Sequence, residues 1–508
     1  MRISQEPQWF AASFGEIRVR GLGLNGDLTE HPSLHTFLAT PPKDSHLGVY
    51  LDALQQVGFS SWTPPLSFSN INIQQTGTQE LGGGYLSLDL SLQTHDANGN
   101  EYAYILLRLH RGIAQFVFPE DPEEPSQHPT RLAQLVAPVG PIPEGYIRFL
   151  VPFDVTPAQP SRLGFATAPL IAPVEQGILH LLRIKLIKWL TNDFEKAASL
   201  AIAKWADRKI NPDIGMKWFQ PGLQAMTPCE IQSLAGKKTL LFVHGIISSI
   251  DGAFSGLFSY PPIMNHITQK YGPNAIGFDH YTLSETHLDT AKELVNTLPI
   301  GAILDIVCHS RGAAVVRGML EHPDVAPMFT ARNISVNSVI FVAGANGGTP
   351  LAHMDNWKVL INVLSYLTSL VPPGPAGVIA IAIAAFLNIA LVMTCQLDSL
   401  TMLDPASQFY TDLRTVTRSP ANHYMYAQAD YDLSQKSSIL AFLLNKVMKD
   451  ANDLVIPWDR AGEFHAQPRG GAPIPVLQYD PNKVSQTDIY HTDFFVQKRT
   501  WDTLIQKL

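Results

Sequence analysis

The chain contains, at residues 302–320, the sequence Ala302-Ile-Leu-Asp-Ile-Val-Cys-His-Ser-Arg-Gly-Ala-Ala-Val-Val-Arg-Gly-Met-Leu320. It begins with a short apolar run typical of a buried strand and ends with small and apolar residues that suit a helix. A strand, a sharp turn that carries a serine and a helix together form a nucleophile elbow. The turn requires small residues two positions before and two positions after Ser310, and Cys308 and Gly312 meet that requirement. We therefore predict Ser310 as a nucleophile.

Strand and helix signals alternate from about residue 236 to the end of the chain. Thr290–Leu298 and residues 437–449 have helical patterns between apolar runs of strand length. The other predicted strands are Thr239–Val243, Ala275–Asp279, Ser338–Ala343, Tyr424–Ala427 and Pro475–Gln478. Such alternation predicts an α/β fold with a largely parallel sheet that has helices on both faces.

A serine nucleophile needs a base within hydrogen-bonding reach and a carboxylate that orients the base. In this class of fold the chain order is serine, acid, histidine. Asp453 and His491 follow Ser310 in that order, and both lie in loop contexts. The competing candidates are Asp459 and Asp430 for the acid and His465 for the base.

The oxyanion of the reaction needs two backbone N–H donors. One should belong to Arg311, the residue after the nucleophile, and the other to the loop after the first buried strand. In that loop Gly245 allows close approach of the backbone, so Ile246 is the predicted donor. We expect His244 and His309, which neighbour the site in sequence, to hold loops in shape rather than act as bases.

Four motifs resemble those of lipase-like α/β-hydrolases: Phe242-Val-His-Gly245, His309-Ser-Arg-Gly312, Asn452-Asp-Leu-Val-Ile-Pro457 and His491-Thr-Asp-Phe-Phe495. The similarity covers roughly residues 236–508 and is greatest to bacterial lipase-like members with a His-Ser-Arg-Gly elbow. It implies a catalytic triad of Ser310, Asp453 and His491, with Ile246 and Arg311 as oxyanion donors. The family usually has glycine two residues before the nucleophile. Cys308 occupies that position here, and we expect altered reactivity rather than an inactive site.

Composition restricts the other classes of function. The 508 residues suffice for two or three domains, and 45% hydrophobic residues allow a large core. A net charge of −8 gives no indication of nucleic-acid binding. The three cysteines form no disulfide framework and no metal-ligand spacing. The N-terminus lacks a signal-peptide pattern, so a cytoplasmic protein is expected. The serine mechanism needs no metal or organic cofactor, and none is expected.

Residues 1–165 have the pattern of a β-rich accessory domain, and a β-sandwich is the predicted architecture. Alternation of apolar and polar residues predicts a strand at Tyr85–Leu92, and further strands are predicted at Tyr102–Leu109 and Ile113–Phe118. No catalytic pattern occurs in this region, which suggests a docking or sensing module.

Residues 166–235 are predicted to form a helical linker that precedes the hydrolase domain at 236–508. Ile178–Leu190 places cations on one side of a predicted helix, and Asp193 could cap a second helix that runs through Lys209. A basic amphipathic helix can lie on a membrane surface. Packing of this helix against a neighbouring domain is the favoured alternative.

An apolar insertion at about 352–400 interrupts the hydrolase region. Val359–Leu397 contains no charged residue, and Pro372-Pro-Gly-Pro375 divides it. Residues 376–395 could cross a bilayer, but a single span would separate Ser310 from Asp453. The favoured hypothesis is a helical cap that lines an acyl-binding pocket. A hairpin that dips into lipid and a helix pair at a domain or oligomer interface remain as alternatives.

Together these features predict a serine hydrolase of carboxylic esters, of esterase or lipase type, that forms an acyl-enzyme on Ser310. Its expected partner is an ester or lipid substrate with an apolar acyl group, with peripheral membrane contact and homo-oligomers left open. An amidase or peptidase with the same triad and a non-catalytic membrane-associated scaffold are the two alternatives.

Overall fold

The computed structural model divides the chain into two compact units. The first comprises Met1–Phe194, Ile361–Met393 and Leu433–Leu443, and the second comprises Glu195–Leu360, Thr394–Asp432 and Leu444–Leu508. The structure describes residues 1–31, 53–56, 60–61, 66–73, 83–95, 97–99, 101–110, 113–120, 142–154, 182–191, 196–370, 383, 397–433, 438–471, 473–480 and 489–508.

The first unit contains two antiparallel sheets. Its described strands are β1 (Arg2–Ile3), β2 (Gln8–Ala12), β3 (Gly15–Leu22), β4 (Leu24–Glu30), β5 (Ser60–Ser61), β6 (Leu66–Ile73), β7 (Gly83–Ser91), β8 (Glu101–His110), β9 (Ile113–Val117), β10 (Tyr146–Asp154) and β11 (Leu182–Thr191). One sheet has the order β1-β4-β6-β11-β8-β9, with β5 paired to β11, and the other has the order β10-β7-β3-β2. Apolar residues of both sheets, among them Leu88, Leu106 and Phe149, form one core, as in a β-sandwich.

Three strands of this unit were predicted, one of them from alternation, and the structure confirms them as β7, β8 and β9. The predicted helix at 178–190 is wrong, because Leu182–Thr191 is strand β11. Ten consecutive residues of β11 pair with β8, from Leu182 opposite His110 to Thr191 opposite Glu101. The run Leu182-Arg-Ile-Lys-Leu186 fits the period of two of a strand as well as the period of a helix. Pairing with the distant strand β8 decides in favour of the strand. A surface helix on a membrane is therefore excluded for this segment.

The second unit is built on a seven-stranded sheet. Its strands are β12 (Gly215–Trp218), β13 (Lys238–Val243), β14 (Ala275–Asp279), β15 (Ile303–His309), β16 (Ser335–Val342), β17 (His423–Ala429) and β18 (Val476–Tyr479). The order is β12-β14-β13-β15-β16-β17-β18, and every pairing is parallel except that of the edge strand β12. The predicted parallel sheet is confirmed. Sequence reasoning missed β12, a short strand inside the segment predicted as a helical linker.

The described helices are α1 (Lys196–Ile210), α2 (Pro228–Gln232), α3 (Ile250–Phe254), α4 (Pro261–Tyr271), α5 (His287–Thr297), α6 (Gly312–Glu321), α7 (Ala326–Ala331), α8 (Trp357–Ser369), α9 (Asp398–Thr401), α10 (Gln408–Thr415), α11 (Ser438–Met448), α12 (Trp458–Ala461) and α13 (Lys498–Lys507). Short 3₁₀ helices occupy Ser255–Leu257, Pro350–Ala352, Met354–Asn356 and Phe494–Val496. Helix α1 agrees with the helix predicted to run through Lys209.

Two apolar layers cover the parallel sheet, one on each face. Leu241 and Ile306 belong to the core that includes α5 and α6, whereas Phe242 and Val307 belong to the core that includes α4 and α13. Neighbouring residues of one strand thus face opposite layers, which explains the nearly continuous apolar runs of β13, β15 and β16. The carboxyl ends of these strands carry the loops described below.

The apolar insertion begins with α8, and residues 361–369 of this helix belong to the first unit. Its second arm, predicted at 376–395, lies outside the described residues apart from Ile383. Whether the insertion forms a cap therefore stays a prediction. Among the described residues, the helices are all too short or too polar to span a bilayer.

Candidate active site

Ser310 lies between the end of β15 and the first residue of α6. Its φ of 55° places a non-glycine residue in the left-handed region, which a tight strand-to-helix turn requires. The backbone N–H of Ser310 donates to the carbonyl of Val342 on the neighbouring strand, at 3.2 Å. Ser310 thus has the strained backbone of the strand-to-helix turn that the sequence predicts.

Two glycines allow the elbow to pack against the end of β13. A Cβ atom on Gly245 would lie 2.5 Å from the Cβ of Ser310, and one on Gly312 would lie 2.4 Å from the carbonyl oxygen of Val243. Cys308 is fully buried, and its thiol faces the carbonyl of Ile340 at 3.7 Å. Burial raises the pKa of this thiol well above its usual value, so Cys308 behaves as a small apolar residue.

His491 joins the serine to an acid through both ring nitrogens. Its Nε2 accepts from the hydroxyl of Ser310 at 2.7 Å, and its Nδ1 donates to Oδ2 of Asp453 at 2.9 Å. The backbone N–H of His491 also donates to the carbonyl of Asp453 at 2.9 Å. All three residues are buried. The structure thus brings together the serine, histidine and aspartate that the sequence order suggested.

Asp453 lies in the loop between α11 and α12, beyond the carboxyl end of β17. Its second oxygen, Oδ1, accepts from the backbone N–H groups of Val455 and Ile456 at 3.0 and 2.8 Å. The intervening Leu454 has a φ of 84°, which turns the chain so that both amides face the carboxylate. Each oxygen of the buried carboxylate is therefore satisfied, which holds the group in one orientation.

The competing candidates for the acid and the base do not join this chain of hydrogen bonds. Asp430 accepts from the backbone of Asn452, and Asp459 lies at the surface beside Arg460. His465 is an exposed residue that contacts Glu463 at 3.3 Å.

His309, the residue before Ser310, contacts the backbone of His491. Its Nε2 donates to the carbonyl of His491 at 2.9 Å, and the two rings lie 4.9 Å apart. Burial lowers the pKa of His309 to about 3, and the nearby His491 adds to this effect. A neutral His309 can donate from Nε2 without repelling a cation that forms on His491. The expectation that it holds a loop in shape agrees with this contact.

His244 has a similar role in the loop that follows β13. Its Nδ1 donates to the carbonyl of Gly245 at 2.9 Å, and its Nε2 accepts from the backbone of His280 at 3.2 Å. Burial lowers the pKa of His244 to about 4, although Asp279 opposes this effect. The neutral ring fixes the start of residues 244–249, which we call the oxyanion loop.

The predicted oxyanion donors border the nucleophile from two sides. Ile246 follows Gly245, whose backbone nearly touches the side chain of Ser310. Arg311 caps α6, where the positive end of the helix dipole favours negative charge. Within the described part of the chain, the backbone N–H groups of Ile246 and Arg311 have no acceptor. Both amides are therefore available to an oxyanion.

The side chain of Arg311 is buried behind the site. Its guanidinium donates to the carbonyl of Glu285 at 2.7 Å and to the hydroxyl of Thr290 at 3.3 Å. Burial lowers the pKa of Arg311 to about 10, so the group stays charged near neutral pH. Sequence reasoning assigned a role only to the backbone of this residue.

The described ranges contain no group of three or more histidine, cysteine, aspartate or glutamate side chains that could hold a metal ion. The two cysteines that the structure describes, Cys229 and Cys308, are free thiols on separate elements.

The strand order, the elbow after β15 and the serine–histidine–aspartate chain define an α/β-hydrolase fold for the second unit. The chain belongs to a family described as a domain of unknown function (DUF7379), whose model matches residues 210–508. No curated protein matches the chain significantly.

Several solved structures are similar over about half of the chain. The lipase BlEst2 from Bacillus licheniformis is 15% identical, with 53% of this chain and 91% of the lipase covered and a TM-score of 0.33. Lipase 1 from Pelosinus fermentans is 12% identical, with 54% and 98% covered and a TM-score of 0.37. A putative α/β-hydrolase family protein from Desulfitobacterium hafniense is 12% identical, with 53% and 94% covered and a TM-score of 0.27.

Proposed function

We propose that this protein is a serine hydrolase of carboxylic esters that works through an acyl-enzyme on Ser310. The observation that carries the proposal is the continuous hydrogen-bonded chain from Ser310 through His491 to Asp453, with distances of 2.7 and 2.9 Å. A serine hydroxyl is a weak nucleophile until a positioned base removes its proton. A His491 ring that carries its proton on Nδ1, facing Asp453, would leave Nε2 free to act as this base.

In the first half of the reaction, Nε2 of His491 takes the hydroxyl proton while Oγ of Ser310 bonds to the ester carbon. The carbonyl oxygen becomes an oxyanion, which the N–H groups of Ile246 and Arg311 stabilise. The carboxylate of Asp453 stabilises the imidazolium that forms on His491. Collapse of the tetrahedral intermediate breaks the bond to the alkoxide, and His491 returns the proton to this leaving group.

In the second half of the reaction, water replaces the alcohol. His491 removes a proton from the water, whose oxygen attacks the acyl carbon on Ser310. The same two amides stabilise the second oxyanion. Collapse of this intermediate breaks the bond between the acyl carbon and Oγ of Ser310, and His491 returns its proton to Oγ. The serine hydroxyl is restored and the carboxylic acid is released, so the cycle needs no metal or organic cofactor.

The proposed substrate is an ester or lipid with an apolar acyl group. Support comes from the insertion after β16, which contains the apolar helix α8 and lacks charge over Val359–Leu397. A long uncharged segment suits contact with hydrocarbon better than contact with peptides. Amide substrates thus form the alternative outcome of the test.

The test is a series of p-nitrophenyl esters from short to long acyl chains, with Ser310→Ala assayed beside the parent. We expect the parent to hydrolyse esters with a preference for long chains and the variant to lose at least about 1,000-fold in kcat/KM. Activity that survives in Ser310→Ala would contradict the assignment of the nucleophile. Turnover of amides with none of esters would instead support the amidase or peptidase alternative.

A further inference from the structure

A buried carboxylate on α1 lies behind the oxyanion loop. Asp207 is almost completely inaccessible to solvent, and no lysine, arginine or histidine forms an ion pair with it among the described residues. Burying a carboxylate costs free energy unless hydrogen bonds replace its hydration. This carboxylate therefore needs a set of donors, and the loop after β14 supplies them.

Residues 282–285, which we call the anchor loop, wrap around the carboxylate of Asp207. Its Oδ1 accepts from the backbone N–H groups of Thr282 and Leu283 at 2.9 and 3.0 Å. Its Oδ2 accepts from the backbone N–H and the hydroxyl of Ser284, each at 2.7 Å. Donors on three consecutive residues thus fix the anchor loop to one side chain.

The anchor loop in turn contacts the oxyanion loop through one hydroxyl. The backbone N–H of Ile247 donates to Oγ1 of Thr282 at 3.1 Å, and the same hydroxyl is 3.4 Å from Oδ1 of Asp207. Because the carboxylate accepts the hydroxyl hydrogen, a lone pair of Oγ1 is free to accept from Ile247. The order of donation runs from Ile247 to Thr282 to Asp207.

Ile247 needs such a restraint. Its φ of 53° is unusual for a β-branched residue and places the backbone in the left-handed region. The peptide that follows Ile246 is fixed by the bond from Ile247 to Thr282. Loss of that bond would let the loop relax and move the N–H of Ile246.

The anchor loop also reaches the second oxyanion donor. The carbonyl of Glu285 accepts from the guanidinium of Arg311 at 2.7 Å. A further bond, from the hydroxyl of Ser399 to the carbonyl of Leu283 at 2.6 Å, holds the loop from α9. One short segment thus bonds to Ile247, the residue after the first proposed oxyanion donor, and to the side chain of Arg311, the second proposed donor.

From these contacts we infer that Asp207 and Thr282 are positioning residues that set the geometry of the oxyanion hole. The inference rests on the proposed function, because it assigns a purpose to the oxyanion loop of that same site. Neither residue forms a hydrogen bond with Ser310, Asp453 or His491. Asp207 also precedes the segment that the family model matches, residues 210–508.

The central test compares Thr282→Val with Thr282→Ser. Valine has the shape of threonine but cannot accept from Ile247, whereas serine keeps the hydroxyl. Both variants retain the backbone donors to Asp207. We expect Thr282→Val to lose about 10- to 100-fold in kcat with KM changed less than about twofold, because a misplaced donor acts on the transition state. Thr282→Ser should recover most of that loss.

A tetrahedral inhibitor separates positioning from a general loss of stability. A trifluoromethyl ketone adds to Ser310 and places an oxyanion in the hole, so its inhibition constant in Thr282→Val should rise in proportion to the fall in kcat/KM. The matched control is Thr500→Val, which removes an equally buried hydroxyl that bonds to Tyr479 at 2.6 Å. We expect the control to change the melting temperature but leave kcat and the inhibition constant unchanged.

Asp207→Asn provides an independent variant. It replaces one carboxylate oxygen by an amide nitrogen, which cannot accept from the backbone N–H groups of the anchor loop. It should lower kcat in the same way as Thr282→Val. The inference would be overturned if Thr282→Val kept the kcat of the parent, or if Thr500→Val lost as much kcat as Thr282→Val. The proposed function would stand in either case. A parent protein that hydrolyses no ester and is not labelled at Ser310 would overturn both.

Discussion

At the scale of single residues, the space beside Ser310 leads to the first prediction. We expect Gly245→Ala to lower kcat/KM at least about 100-fold, because its Cβ would lie 2.5 Å from the Cβ of Ser310 and 3.0 Å from Oγ. The matched control is Gly252→Ala in α3, where the new Cβ would meet only hydroxyl groups at 3.2 and 3.4 Å. Steady-state kinetics of both variants measure the effect. Equal activity of the two variants would contradict the close approach.

Replacement of the acid leads to a second prediction at this scale. In Asp453→Asn the amide nitrogen would donate to Nδ1 of His491, so the proton would move to Nε2 and the ring could no longer accept from Ser310. We expect kcat to fall about 10³- to 10⁴-fold. The exposed Asp459→Asn serves as the control and should keep the activity of the parent. An Asp459 variant as impaired as the Asp453 variant would reverse the choice of acid.

The sequence predicted part of this site for a simple physical reason. The elbow has local requirements for small residues and a strand-to-helix change, and the order of serine, acid and histidine restricts the partners. Asp207 and Thr282 have no such signal, because their role depends on contacts between residues 75 apart in the chain. His309 was expected to hold a loop, but its partner, the carbonyl of His491, could not be read from the sequence.

At the scale of elements, α8 covers the edge strand β9. The side-chain amide of Asn362 accepts from the backbone N–H of Phe116 at 2.9 Å and donates to its carbonyl at 3.2 Å, as a neighbouring strand would. We expect Asn362→Leu to lower the free energy of unfolding of the first unit by about 1–2 kcal/mol. Denaturant unfolding and the exchange rate of the Phe116 amide measure this effect.

Asn362→Asp is the matched comparison, since it retains the acceptor for the N–H of Phe116 but loses the donor. An intermediate loss of stability is expected for this variant. Amide exchange at Phe116 that is equally slow in the parent and in Asn362→Leu would show that the contact does not protect the strand edge.

Element prediction from the sequence succeeded where a segment has one clear periodicity and failed where two overlap. The strands β7, β13 and β15 have unambiguous patterns. Residues 182–190 have apolar and basic residues that fit both a helix and a strand, and the ladder with β8 selects the strand. The edge strand β12 has four residues, too few for a periodicity to emerge.

At the scale of the whole molecule, buried neutral histidines predict sensitivity to acid. Burial lowers the pKa of His244 to about 4 and that of His309 to about 3, and it holds His280 and His287 well below their usual value. The unfolded chain binds these protons at about pH 6.5. The stability that these four histidines contribute is therefore fully present above that pH and is lost as the pH falls from about 6.5 towards the folded values.

We expect the free energy of unfolding to fall by about 1.4 kcal/mol per pH unit for each histidine that charges only in the unfolded chain. Denaturant unfolding between about pH 7.5 and about pH 5 measures the slope. His309→Gln can still donate to the carbonyl of His491. It should reduce the slope by the contribution of one histidine, about 1.4 kcal/mol per pH unit, whereas His465→Gln at the surface should leave the slope unchanged. The same slope in His309→Gln and in the parent would contradict the buried neutral state of His309.

The most direct measurement of the central claim is the mass of the intact protein after reaction with a fluorophosphonate, followed by peptide mapping. This reagent labels a serine only when a base has activated it. We predict one adduct, located on Ser310, and none in Ser310→Ala or His491→Ala. A parent protein without an adduct, or an adduct that persists in Ser310→Ala, would contradict the assignment of Ser310 as the activated nucleophile.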